Sequence, residues 1–322
     1  MPEFPTSKRP GLGPWKSRKV FACLLDLIAR ELRLFALRSL FIGYAGAMKI
    51  SGCNQISLAQ WSLHREIGQG RLDPFDFPRM ARSTFGLDAV EYVNSFYRPV
   101  ERDEDYFRRL RARCDDLDVR SLLIMCDGEG ALGDPDPAGR RRTISNHRKW
   151  LVAARILGCH SIRVNARSEG SREEQLERSA EGLAGLGELA ETFGLNVLVE
   201  NHGGLSSDGA WLAGVMRRVG RRNVGTLPDF GNFRVSEGTW YDRYRGVEEL
   251  MPWAKAVSAK SHAFGPDGQE TSTDFATMMT LVRNAGYLGY VGIEWEGGGC
   301  SEVEGILKTK FLLERCGCQS RA

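Results

Sequence analysis

The 322-residue chain lacks several signatures that would name a function at once. It contains no Cys-x-x-Cys, so a zinc site built from thiolates is not expected. Its eight cysteines are scattered, and Cys126 and Cys159 lie in apolar runs, where they read as small buried hydrophobes of a chain kept in a reducing compartment. Histidine is scarce, with five in all. No stretch of about 18 uncharged apolar residues occurs, so no membrane span is expected. Strong net charge is also missing. The total is +3, and residues 1–47 alone hold eight Lys/Arg against three acids, a net +5 that leaves −2 for the rest. A slightly acidic body is a poor partner for nucleic acid. There is no G-x-G-x-x-G after the first apolar run, which argues against an open dinucleotide-binding sheet.

What the chain does have is alternation. From residue 56 on, short β-type runs are followed by longer amphipathic stretches, eight times over. The runs fall at 56–63, 89–94, 120–126, 161–166, 196–200, 224–229, 256–261 and 290–294. Between them, residues 178–193 place Leu183, Leu186, Leu189, Ala190 and Phe193 at helical spacing before Gly194; residues 272–285 and 302–313 follow the same logic. Strict β-α alternation implies a parallel sheet, and eight units imply closure. The expected fold is an α/β class (β/α)8 TIM barrel over residues 51–322. A basic N-terminal extension, disordered or helical, covers residues 1–50. Lys16 to Lys19 before an apolar patch faintly resembles an export signal, but internal charges speak against it. A cytoplasmic protein is the expectation, with export left open.

Barrel active sites stand at the C-terminal ends of the strands. There the sequence places Glu200, Asp229, His262 and Glu294 at intervals of 29, 33 and 32 residues. Three carboxylates and one imidazole suit one divalent ion such as Mn2+, Mg2+, Co2+ or Zn2+. Three acids in one small site could not all ionise without a cation beside them.

The segments Glu200-Asn-His202-Gly-Gly, Asp229-Phe-Gly-Asn232, Lys260-Ser-His262 and Ile293-Glu294-Trp-Glu296 resemble the xylose-isomerase-like barrel superfamily, most closely its sugar phosphate isomerase/epimerase branch. The resemblance covers about residues 52–315. It implies one divalent ion on Glu200, Asp229, His262 and Glu294. It also implies that Glu200 and Glu294 pass a proton to and from a sugar or keto-polyol through a metal-stabilised enediolate. Asn232 stands where many epimerases of the branch have a histidine, and no arginine follows His262. A lyase or dehydratase on an oxidised sugar therefore stays open beside the isomerase, as does a non-catalytic sugar-binding barrel. The abasic-site endonucleases of the superfamily need more histidines for three zinc ions than this chain offers.

Further candidates line the expected mouth. His202 and Glu296 share the phase of the strand-end acids. Arg163 and Asn165 alternate with apolar residues, and an internal pair of Arg163 with Glu91 is an equal reading. Lys260 lies one layer below His262, as ion pair or catalyst. Trp61 and His64 end the first strand and suit a sugar's apolar face, although for Trp61 a core position is favoured. Residues 127–139, rich in Gly, Pro and acids, read as a binding loop or lid. Their acids, and the absence of a Gly-rich cradle, argue against a phosphorylated substrate. A homo-oligomer stays open.

Overall fold

The computed structural model describes residues 54–320. The extension and export signal considered over residues 1–50 lie outside them. Eight parallel strands form one sheet: β1 (Gln55–Ala59), β2 (Ala89–Val93), β3 (Arg120–Met125), β4 (Ser161–Val164), β5 (Asn196–Glu200), β6 (Val224–Leu227), β9 (Val257–Ser261) and β10 (Tyr290–Trp295). They run in the order β6-β5-β4-β3-β2-β1-β10-β9. Isolated parallel bridges, Thr226 to Ala254 and Asp229 to Ser258, join the two end strands. The expected (β/α)8 barrel is what the chain forms. A small antiparallel hairpin, β7 (Arg234–Ser236) and β8 (Thr239–Trp240), follows the sixth barrel strand.

The helices that return the chain are capped by their own sequence. Helix α1 (His64–Gly68) is short. Those that follow are α2 (Phe77–Phe85), α3 (Glu104–Asp116), α4 (Pro137–Leu157), α5 (Arg172–Glu191), α6 (Gly209–Val219), α7 (Arg243–Leu250), α8 (Phe275–Asn284) and α9 (Glu302–Arg315). Ser171 and Glu174 make a reciprocal capping box at α5, and Asp103, Asp136, Asp208, Asp242 and Asp274 accept from the first-turn amides of α3, α4, α6, α7 and α8. Among the described residues no helix is long and apolar enough to cross a membrane.

Period-two alternation divides the strands. Outward residues such as Ile56, Leu58, Val90, Tyr92, Ile162, Val197, Val199, Ile293 and Trp295 pack under the helices in the main core. Inward residues Ala59, Val93, Leu123, Met125, Leu198 and Leu227 fill the barrel interior. Burying an outward Leu or Val contributes roughly 1.5–3 kcal/mol each. The same inward phase carries Glu91, Arg163, Glu200, Ser258, Lys260 and Glu294, so it changes from apolar to charged.

The first strand is shorter than expected. It ends at Ala59, and Gln60–Leu63 forms a 3-10 turn. Gln60 is drawn out of strand geometry by its own amide: Nε2 donates to the Tyr97 hydroxyl at 2.8 Å and Oε1 accepts from Val93 N at 3.1 Å. Trp61 and His64 thus stand on a turn and the start of α1 rather than at a strand end.

Candidate metal centre

Glu200 is the last residue of β5. Asp229 stands two residues beyond β6, and Glu294 lies in β10. One carboxylate oxygen from each falls within 4.8 Å of the other two, and all three side chains are buried. Asn201, on the opposite phase from Glu200, buckles the neighbouring loops. Its Oδ1 accepts from Asp229 N at 2.7 Å, and its Nδ2 donates to the carbonyls of Asp229 and Asn232 at 3.0 and 3.1 Å. Asp229 Oδ1 then accepts from the amides of Gly231 and Asn232, both at 2.8 Å. The Ser258 hydroxyl lies between Asp229 Oδ2 (2.7 Å) and Glu294 Oε2 (3.0 Å). The Asn232 amide donates to Glu200 Oε1 at 2.7 Å. Gly292 makes room for a further acid: a Cβ there would lie 2.6 Å from Glu91 Oε1.

Two cations answer these acids. Arg163 Nε lies 2.6 Å from Glu200 Oε2 and its Nη1 2.8 Å from Asp127 Oδ1. Its partners are therefore Glu200 and Asp127 rather than Glu91, whose Oε1 accepts from Ser57 at 2.6 Å. Asn165 also donates to Asp127, at 2.7 Å. Lys260 Nζ lies 3.1 Å from Glu294 Oε1, 3.1 Å from Glu296 Oε2 and 3.9 Å from Asp229 Oδ2.

Burial pushes Glu200, Asp229 and Glu91 up to about 7. At Glu200 the nearby Arg163 opposes this and Glu294 adds to it; at Asp229 Lys260 opposes it. Burial also works against the Lys260 charge, but Glu294, Asp229, Glu200 and Glu296 outweigh it and hold its pKa well above the ordinary value. His202 stands on the exposed rim. Desolvation by the surrounding site, with Arg163 and Lys260 nearby, lowers its pKa.

Of the four expected ligands, the structure brings together Glu200, Asp229 and Glu294, but not His262. That side chain is 46% exposed, with Nε2 3.9 Å from Glu296 Oε2. Trp61 is half-buried at the mouth rather than in the core. It donates from Nε1 to Glu296 Oε1 at 3.1 Å and stacks on His64, with ring centroids 4.6 Å apart. The loop at 127–139 is tied down. The Glu129 carboxylate is buried, accepts from Trp150 Nε1 at 2.7 Å and pairs with Lys149 at 3.3 Å. The remaining histidines are elsewhere: His147 binds Thr143 O within α4 at 2.8 Å, and His160 binds Ser161 at the far end of β4.

The three carboxylates fit a hard divalent cation. Six acids (Glu91, Asp127, Glu200, Asp229, Glu294, Glu296) face two permanent cations. Glu200 Oε2 is fully buried, with Arg163 Nε at 2.6 Å as its charged neighbour. Buried carboxylates that outnumber the cations beside them are cation ligands by chemistry.

The xylose isomerase-like TIM barrel family matches residues 79–313. The chain belongs to that family. Solved structures with the same fold include L-ribulose 3-epimerase (TM-score 0.63, 16% identity, 82% of this chain and 96% of that one). Others are an IolI protein with a bound zinc atom (0.62, 13%, 81% and 97%) and a sugar phosphate isomerase/epimerase from Parabacteroides distasonis (0.61, 15%, 84% and 96%). At these identities the likeness is one of fold. A curated relative, the 3'-dehydrocarminate deglycosidase alpha subunit of a Microbacterium species, is 31% identical over 80 residues, 25% of this chain and 20% of that protein. The chain thus spans about a fifth of that relative's length.

The raised carboxyls set a pH dependence. With folded values of about 7 against ordinary values of 4.5 and 3.8, Glu200 and Asp229 keep protons that the unfolded chain has already released. Their contribution to stability falls as pH rises from about 4 to 7. A divalent ion must displace those protons. The Mn2+-induced rise in Tm is therefore expected to be larger near pH 8 than near pH 6, and scanning calorimetry at the two pH values reads the difference.

Proposed function

We propose that this barrel is a divalent-metal-dependent sugar isomerase or epimerase, moving a proton next to the carbonyl of an unphosphorylated sugar or keto-polyol. The observation that carries the reading is the meeting of Glu200, Asp229 and Glu294 within 4.8 Å at the ends of three strands, buried at the barrel mouth. A divalent ion held by these three supplies Lewis acidity to a carbonyl and a neighbouring hydroxyl.

The chain's own groups supply the rest. Glu200, buried at the end of its strand, is the carboxylate placed to take the proton. Asn232 holds Glu200 Oε1 and Arg163 Nε lies 2.6 Å from Oε2, so both oxygens of the carboxylate are fixed in place. Arg163, locked between Glu200 and Asp127, fixes that carboxylate's orientation. Glu294 returns the proton from a different strand, steadied by Ser258 and Lys260. Epimerisation and aldose–ketose isomerisation differ only in the carbon that receives it. Trp61, His64, His202, Asn165 and Glu296 surround the opening and offer an aromatic face and hydroxyl partners.

One observation favours a second reading, a lyase on a keto sugar. The Microbacterium relative is by name a deglycosidase of a dehydrogenated glycoside. Removing the proton beside a keto group, with a leaving group on the next carbon, breaks the bond to that group. Only the fate of the electron pair distinguishes the two reactions.

Incubating the Mn2+-loaded protein with aldoses, ketoses and 3-keto glycosides in D2O, followed by NMR, tests both. Deuterium at the carbon beside the carbonyl with the sugar skeleton intact supports the isomerase. An unsaturated sugar with a released group supports the lyase. No exchange with any substrate leaves a sugar-binding barrel and overturns both.

A further inference from the structure

Strand β9 sends two polar side chains inward, Ser258 and Lys260, and His262 follows in the same phase just beyond its end; the structure brings the first two to the carboxylates. Lys260 is paired in register with Glu294. It is 2% exposed, and its ammonium has three acceptors for three protons: Glu294 Oε1 at 3.1 Å, Glu296 Oε2 at 3.1 Å and Asn232 Oδ1 at 3.3 Å. Asp229 Oδ2 is 3.9 Å away. His262 is carried off the axis because the strand ends beneath it. The amides of His262 and Ala263 both donate to the buried carboxylate of Glu270 at 3.3 Å, which turns the chain after Ser261. The imidazole then lies over the backbone of Gly231, where a Cβ would meet its Cε1 at 3.0 Å.

A fourth ligand from this strand would have to reach the space between Asp229 and Glu294. The Ser258 hydroxyl already fills that space, 2.7 Å from Asp229 Oδ2 and 3.0 Å from Glu294 Oε2, and an ammonium, which has no lone pair to give, borders it. The geometry points to Lys260 as a built-in counter-cation that competes with the divalent ion for Glu294 and Asp229. The inference rests on the reading that a divalent ion binds here. It carries three consequences. His262 is not among the ion's ligands. The ion's affinity is held down by a like charge at contact range. The metal-free site is partly neutralised from within, so the barrel keeps its fold without metal.

The test measures Mn2+ binding by titration calorimetry and Tm with and without Mn2+, with no substrate present. It compares the full-length protein with Lys260→Met and His262→Ala. Lys260→Met is expected to bind Mn2+ at least about tenfold more tightly, since a unit charge a few ångströms away is removed. Its Mn2+-induced rise in Tm should exceed that of the wild type. His262→Ala, an exposed position, should keep its affinity within about twofold, the usual scale of a lost surface interaction. If Lys260→Met folds only with Mn2+ present, the ion is replacing the missing charge and the inference stands. If Lys260→Met binds no more tightly and gains nothing from Mn2+, or if His262→Ala loses binding, the inference is overturned while the wild type still binds the ion. If no form binds Mn2+, the metal reading itself falls and takes the inference with it.

Discussion

Glu200→Gln is expected to lower kcat by about 10³-fold, the middle of the range for losing a positioned acid–base group, with KM changed much less. The substitution keeps shape and volume, and the Arg163 guanidinium retains Asp127 at 2.8 Å, so the site is not left with an unpaired cation. What it removes is the buried oxygen that can accept a proton. Deuterium exchange into substrate should fall in step with turnover. Glu294→Gln should separate the two half-reactions. Exchange at the original carbon persists, because Glu200 still takes the proton and trades it with solvent, while the product isomer disappears. Rapid-quench NMR on the two variants reads this directly. If both exchange and turnover survive either change, proton transfer by these carboxylates is wrong.

Arg163→Met is expected to cost about 3–5 kcal/mol of unfolding free energy near pH 8, the scale for breaking a buried ion pair from one side. Arg163 is 4% exposed, and its partner Glu200 is wholly buried. Without the guanidinium, Glu200 loses its nearest cation and Asp127 loses one of its two donors. The sign of the pH effect follows from the Glu200 value of about 7. Below that value Glu200 is protonated and gains little from Arg163, so the loss should shrink toward about pH 5 and grow as pH rises through 7. Urea unfolding at three pH values checks it. A cost independent of pH would mean that Arg163 acts through packing of its stem instead.

Much of this was legible in the chain. The eight apolar runs and their helices follow from periodicity, and the intervals from Glu200 to Asp229 (29 residues, one unit) and from Asp229 to Glu294 (65 residues, two units) follow from units of similar length. Which layer of the strand meets the carboxylates was not legible. Lys260 and His262 share a phase, and only the point where Glu270 ends the strand decides which of them faces the carboxylates. Tertiary partners also escaped. Arg163 reaches Glu200 and Asp127 rather than Glu91 because Gly292 and Ser57 already house that acid. Ser258 and Asn201 were overlooked for a simple reason: a serine inside a strand and an asparagine of outward phase carry no signal until neighbouring strands are placed beside them.

The barrel closes differently at one place. Seven strand contacts are ladders, the β2–β3 one with a register shift at Val90/Glu91, but β6 meets the β9 segment through isolated bridges, with Lys255 N to Thr226 O, Ser258 N to Pro228 O and Phe230 N to Ser258 O as its backbone bonds. Pro228 has no N–H to continue the ladder, and the register slips by one residue between the Thr226–Ala254 and Asp229–Ser258 bridges. Asp229 stands on one side of this seam, and Ser258 and Lys260 on the other. A cation drawing Asp229 and Glu294 together therefore staples the least-knitted joint of the cylinder. Amide protons along this joint are where loading the site slows exchange with solvent most.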